Sequence, residues 1–214
     1  MTRIAVLGGT GYAGGHIVRE AASRGHDVVS FSRTAPAAEQ ANVTVVTGSA
    51  LDDAALAKAV AGAEVLVVAL APSGDLAGSF VEVNAKIAGL ARQSGARLGV
   101  IGGAGTLRVA EDGPRIFELP EYPARYRPYS EVAEAVLQGL LSSAADLDWF
   151  VLTPPMGFGS FAPGETTGTY RLGGELPLSD AEGRSAISGA DYALAFVDEI
   201  ERPAHRRSRF AVAH

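Results

Sequence analysis

The segment Arg3-Ile4-Ala5-Val6-Leu7-Gly8-Gly9-Thr10-Gly11-Tyr12-Ala13-Gly14-Gly15 carries the strongest local signal in the chain. Its glycines fit G-x-G-x-x-G at Gly9, Gly11 and Gly14, or G-x-x-G-x-x-G at Gly8, Gly11 and Gly14. Ile4 to Leu7 is a continuous apolar run, the pattern of a strand buried on both faces. Ala13, Ile17, Val18 and Ala21 then recur at helical spacing. Glycines at such a join let the chain turn sharply, bring backbone N–H groups close to a diphosphate and pack the new helix onto the strand. The start of that helix carries the partial positive charge that favours phosphate.

The flanks turn a weak motif into a specific one. The helix stops at Gly25 and a second strand-like run, Asp27 to Phe31, follows, which is the strand-turn-helix-strand context of a dinucleotide site. Gly8, Thr10, Gly11, Tyr12 and Ala13 are therefore expected at the cofactor. The second strand runs into Ser32-Arg33-Thr34, where an acid would hydrogen-bond the adenosine ribose of NAD(H). Arg33 stands there instead. A guanidinium pairs with a 2'-phosphate through its planar fork, so NADP(H) is expected over NAD(H), with Ser32 and Arg33 at its adenosine end.

Outward from this start, Val43 to Val46 reads as a third strand, followed by a helix to Val60 capped by Asp52 or Asp53. Glu64 to Leu70 reads as a fourth strand, and Leu70, Ala71 and Pro72 at its end are expected beside the cofactor. A helix from about Gly78 to Ser94 places Phe80, Val83, Ile87 and Leu90 on one face. Leu98 to Ile101 is a fifth strand ending in Gly102-Gly103-Ala104-Gly105-Thr106, where Gly102 and Gly103 are expected near the nicotinamide ribose. Periodicity is then lost from Leu107 to Pro128, a length typical of lids and binding loops, so residues 107–128 are expected to cover a substrate site.

Ser130 to Leu141 reads as a helix and Trp149 to Leu152 as a sixth strand, which delivers Pro154 to the carboxyl edge, where it is expected at the cofactor. Residues 154–185, rich in Gly and Thr, are expected to build a small lobe with a hairpin at Gly168 to Leu172. Ser188 caps a helix over Tyr192 to Ile200, Arg202 to Arg209 reads as a solvated basic turn, and Phe210 to Ala213 closes the sheet. The alternation predicts one α/β domain over residues 1–214. Its expected form is a Rossmann-type doubly wound parallel sheet with helices on both faces and a small C-terminal substrate lobe.

Composition narrows the function. With 214 residues, 47% of them hydrophobic and 20% charged, the chain has the make-up of a soluble globular domain. A formal net charge of -6 argues against nucleic acid as a partner. No apolar run is long enough for a membrane span, and the amino terminus lacks the pattern of a signal peptide, so a cytoplasmic protein is expected. The absence of cysteine excludes a thiolate nucleophile. His16, His26, His205 and His214 show no metal-ligand spacing, and no metal is expected.

With these motifs placed, the chain resembles the atypical short-chain dehydrogenase/reductase family over essentially its full length. Within it, the resemblance is to the NAD(P)H-binding group that includes NmrA-like proteins, biliverdin reductase B and NADH-flavin reductase-like proteins. The flavin-reductase-like branch is echoed in Val100-Ile-Gly-Gly-Ala-Gly-Thr-Leu107, Pro163-Gly-Glu-Thr-Thr-Gly-Thr-Tyr170 and Ser185-Ala-Ile-Ser-Gly-Ala-Asp-Tyr192. The resemblance implies that Ser49 replaces the family's adenine-contacting Asp, with the Ala50 backbone beside it. It also aligns Tyr126 and Ser130 with the family's catalytic Y-x-x-x-K, and Thr106 with its catalytic serine, leaving Thr106 and Tyr126 as weak catalytic candidates.

Lys58 and Lys86 are the only lysines, and neither follows a tyrosine within four residues. A phenol without a neighbouring cation ionises near pH 10 and is a poor base at neutral pH, so ordinary alcohol dehydrogenation is not expected. Reduction of a flavin or another planar conjugated acceptor needs mainly stacking against the nicotinamide. Tyr12, Leu107, Tyr126, Met156 and Phe158 are the apolar walls available for it. The alternative from a different class is a non-catalytic NADP(H) sensor, NmrA-like, that reports to a protein partner.

Overall fold

The computed structural model describes residues 1–214. Eight strands form one sheet in the order β3-β2-β1-β4-β5-β6-β8-β7. They are β1 Arg3–Leu7, β2 Asp27–Ser32, β3 Val43–Thr47, β4 Val65–Val68, β5 Arg97–Ile101, β6 Trp149–Thr153, β7 Arg171–Leu172 and β8 Ser208–Ala213. All neighbours are parallel except the last pair, where Arg171 faces Ala213 and Leu172 faces Val212 in antiparallel register. Parallel strands need crossovers over the sheet faces. Helices α1 Tyr12–Ser23, α2 Asp53–Val60, α3 Phe80–Ser94, α4 Arg127–Leu141 and α5 Gly189–Glu201 supply them.

The continuous apolar runs explain the two-sided burial. β1, β4 and β6 have essentially no exposed positions past their first residues, and each strand sends alternate side chains into two separate cores. Ala5, Leu7, Val68, Trp149 and Val151 pack under α2, α3 and α4 with Leu56, Phe80, Ile87 and Leu137. Ile4, Val6, Val67, Phe150 and Leu152 pack under α1 and α5 with Ile17, Ala21, Tyr192 and Phe196. The two outermost strands are the exceptions: only Val46 of β3 is buried, and both residues of β7 are exposed.

Local chemistry sets the helix ends. Asp52 caps α2 by accepting from the N–H groups of Ala54 and Ala55, and Ser188 caps α5 by accepting from Asp191 N–H. Gly25 after α1 and Gly95 after α3 have positive φ, the left-handed stop that glycine allows.

Three expectations are corrected. The Gly168 to Leu172 segment does not form its own hairpin, because Arg171 and Leu172 join the main sheet beside β8. The basic turn does not extend to Arg209: that residue lies in β8, 6% exposed, with its guanidinium paired to Glu175. Helix α4 begins at Arg127 with Pro128 in its first turn, where the missing N–H costs nothing. Residues 107–128 also hold short 3-10 turns at Ile116–Glu118 and Ala124–Tyr126.

Candidate functional site

The connection from β3 on one side of β1 to β4 on the other makes the β1/β4 boundary the point where strand order reverses. In open parallel sheets the crevice above such a boundary is the ligand site. The turn Gly8–Gly11 and the start of α1 occupy it. Gly8 has φ +97°, and a Cβ there would overlap the carbonyl of Ala69 at the end of β4. A Cβ on Gly14 would overlap the Gly8 carbonyl, so that glycine lets α1 sit directly on the turn.

Hydrogen bonding then separates the donors. Gly8 N–H and Gly9 N–H both donate to Phe31 carbonyl, at 2.8 and 3.1 Å, and Gly11 N–H donates to Gly8 carbonyl at 3.0 Å. The N–H groups of Thr10, Tyr12, Ala13 and Gly14 have no acceptor within the protein. Four donors converging at a helix N-terminus suit a diphosphate, so these residues fit the phosphates of a dinucleotide. Behind them His16 has its pKa lowered, first by burial and then by Arg19, which keeps a neutral imidazole there at neutral pH.

At the end of β2, Ser32 is 8% exposed and spends its hydroxyl on the Thr34 carbonyl at 2.6 Å, shaping the loop that carries Arg33. The Arg33 side chain is 69% exposed and its Nη1 pairs with Asp75 Oδ1 at 2.9 Å. Ser49 Oγ accepts from Leu51 N–H at 3.2 Å, and Ala50 is buried. β4 stops at Val68, so Leu70, Ala71 and Pro72 form the loop above it, leading to a 3-10 turn at Gly74–Leu76.

At the end of β5, a Cβ on Gly102 would collide with the Thr153 hydroxyl, and one on Gly103 would lie 3.0 Å from the Ala133 methyl. Both glycines thus have steric work in joining β5 to β6 and α4. Thr106 is 2% exposed, donates its hydroxyl to Gly103 carbonyl at 2.8 Å and accepts from Arg209 Nη1 at 2.9 Å. Its one proton is engaged within the fold.

Tyr126 is 42% exposed, and its ring lies under the Arg125 guanidinium at 4.7 Å. Ser130, four residues on, instead meets Tyr122: the two hydroxyls are 2.9 Å apart and buried. Gly105 leaves room for that pair, since a Cβ would collide with both hydroxyls. Tyr122 was not singled out in the sequence; its position between Pro120 and Pro123 was the available sign of a constrained side chain.

The five expected wall residues divide into three groups. Leu107 and Met156 line a cavity of about 60 Å³ together with Ile116, Thr153, Pro154 and Leu178. Phe158 faces elsewhere, with its ring 4.7 Å from Tyr192 and 5.3 Å from Tyr12, so both Phe158 and Tyr12 belong to the aromatic packing beside α1 and α5. Tyr126 stands apart on the surface. Residues 107–128, of which Leu107 and Ile116 line the cavity, are tied down at several points: Arg108 N–H donates to Glu175 carbonyl at 2.8 Å, Arg115 bridges Glu175 and Glu134, and Arg127 donates to the carbonyls of Phe117 and Leu119. Glu175 is held below the usual carboxylate range; burial opposes this, and Arg209 and Arg115 outweigh it.

The comparisons with known proteins agree with this geometry. A family profile described as NAD(P)H-binding matches residues 8–203. The uncharacterised protein YwnB of Bacillus subtilis is 31% identical over 212 residues, covering 98% of this chain and 97% of its own. A solved protein of Streptococcus pneumoniae, provisionally named an NADH-flavin reductase, aligns at 28% identity with a TM-score of 0.83 over 100% of both chains. A solved protein of Burkholderia pseudomallei, provisionally named an exported protein, aligns at 36% identity with a TM-score of 0.85 over 100% of both chains. No helix of this chain is long and apolar enough to cross a membrane.

Proposed function

The chain belongs to the NAD(P)H-binding family, and on that premise we propose that it is an NADPH-dependent reductase of a flavin or another planar conjugated acceptor. The observation that carries this reading is the state of the hydroxyls beside β5 and α4. Thr106 is tied to Gly103 and Arg209, Ser130 to Tyr122, and neither hydroxyl has a lysine partner, Lys86 being paired with Asp53. A reaction served by this site is one that draws no proton from a protein acid.

A bound nicotinamide would supply the hydride, and water the proton that completes reduction of the acceptor. The protein's contribution is then to hold the diphosphate on the N–H groups of Thr10 to Gly14, to engage a 2'-phosphate with Arg33, and to order an acceptor against Leu107 and Met156. Orientation of this kind accounts for most of the rate in such transfers. We place the protein in the cytoplasm, which cell fractionation tests.

One observation favours a second reading. The cavity at Leu107 and Met156 is about 60 Å³, well below the roughly 300 Å³ of the smallest typical small-molecule pockets. A reductase must therefore open residues 107–128 or the 154–185 lobe to admit its acceptor, whereas an NADP(H) sensor that reports to a protein partner need not. NADPH oxidation with FMN, riboflavin and quinones separates the two. Turnover with at least one of them, retained in Tyr126→Phe, supports the reductase; tight NADPH binding with no turnover across the panel supports the sensor.

A further inference from the structure

Arg33 and Asp75 come from opposite sides of the crevice. Arg33 follows the end of β2, Asp75 lies in the loop after β4, and β1 runs between those strands. Two strand spacings, about 10 Å, are thus spanned by one ion pair of 2.9 Å that crosses above the carboxyl end of β1. Gly74 brings the loop close: its φ is +62°, and its Cβ position lies 3.6 Å from Arg33 Nη1. Only Nη1 of Arg33 is engaged, which leaves Nε and Nη2 free for a phosphate.

We infer that Asp75 is a specificity-determining residue that lowers the preference for NADPH over NADH by competing for Arg33. The inference rests on the reading of Arg33 as the 2'-phosphate partner. A 2'-phosphate drawn to the guanidinium arrives beside a carboxylate that already holds it, so attraction to Arg33 is offset by repulsion from Asp75. With NADH the same carboxylate is an acceptor for a ribose hydroxyl, the role an acid at the end of β2 plays in NAD-binding sheets and which Ser32-Arg33-Thr34 lacks. Asp75 thereby supplies from β4 what β2 does not. Both side chains are substantially exposed, at 69% and 41%, so the effect is modest and shrinks as salt rises.

The test is the ratio of NADPH to NADH dissociation constants, measured by titration of the full chain at low and high ionic strength. Asp75→Asn is expected to shift the ratio roughly three- to five-fold toward NADPH at low salt, by tightening NADPH and weakening NADH. That shift should vanish in the Arg33→Ala/Asp75→Asn double variant. If Arg33→Ala weakens NADPH selectively while Asp75→Asn leaves the ratio unchanged, the role of Asp75 is overturned and that of Arg33 stands. If Arg33→Ala weakens NADPH and NADH equally, the 2'-phosphate reading fails and takes this inference with it. Equal melting temperatures of the variants exclude a folding defect as the cause of either result.

Discussion

The Tyr12 hydroxyl accepts a hydrogen bond from Gly189 N–H at 3.0 Å and donates one to the Pro163 carbonyl at 3.2 Å. Tyr12 opens α1, Gly189 opens α5, and Pro163 lies in the segment after β6, so one side chain joins the glycine turn to residues 154–185. In Tyr12→Phe this link is lost while the backbone N–H groups remain. The expected result is a stability loss of about 1 kcal/mol with NADPH affinity nearly unchanged; denaturant melts and titrations read the two. A large affinity loss at unchanged stability would show that the hydroxyl acts on the cofactor.

Gly14→Ala tests whether the start of α1 must touch the turn. Its added methyl would overlap the Gly8 carbonyl, and overpacking of this kind costs about 1–3 kcal/mol. Because relief means moving α1 off the turn, NADPH and NADH should weaken together. A variant with wild-type stability and affinity contradicts the packing described.

Glu175→Gln removes the anion that faces Arg209, whose side chain is 1% exposed, and Arg115. A buried charge left without its partner costs about 3–5 kcal/mol. Since Glu175 itself is 45% exposed, screening reduces the expected loss to about 2 kcal/mol. Hydrogen exchange should quicken in residues 107–116, which Arg115 ties down. Unchanged exchange there would mean that the segment is held by its backbone bonds alone.

Stability should fall on the acid side. Asp191 is 1% exposed and accepts from Thr167 N–H, Gly168 N–H, the Ser188 hydroxyl and His214. Burial works against its ionisation, and those bonds still hold its pKa below the usual 3.8. Glu175 and Glu199 are likewise below 4.5 against the same opposition from burial, through Arg209 and Arg97 respectively. For each, the unfolded chain binds a proton more readily than the folded one, so the contribution is complete above the unfolded pKa and is lost as pH falls through the folded one. His16, lowered from 6.5 by burial, has the same sign and adds a decline that starts near that pH. Melting temperature against pH should therefore be flat from about 7 to 9, slope gently below that range and drop steeply under about 4.5, while above about 10 the phenols of Tyr192 and Tyr170, both pushed up by burial, add a fall on the alkaline side. A maximum below pH 5 contradicts this.

Much of this fold was legible because its strands are buried on both faces. Ile4 to Leu7 and Val65 to Val68 announce themselves as unbroken apolar runs, and the glycine turn fixes how the first pair connects. The dinucleotide crevice followed from the same two facts. What stayed hidden depended on contacts that no regular spacing announces. Arg209 looked like part of a basic turn because its counter-charge, Glu175, is 34 residues away. Tyr122 finds Ser130 only once the prolines have folded the intervening loop, and Phe158 turns from the cavity because Tyr192 and Tyr12 offer it a packed aromatic site. Periodicity carries none of these choices.

Direct hydride delivery to a planar acceptor, with no proton from a protein acid, is the chemistry to be measured. Anaerobic single-turnover oxidation of NADPH by FMN, followed at the nicotinamide absorbance with protiated and 4-deuterated cofactor, tests it most directly. The account predicts oxidation that is slower with the transferred deuterium and unchanged in Tyr126→Phe. Saturable NADPH binding without oxidation, by FMN or by any other flavin or quinone, would contradict it.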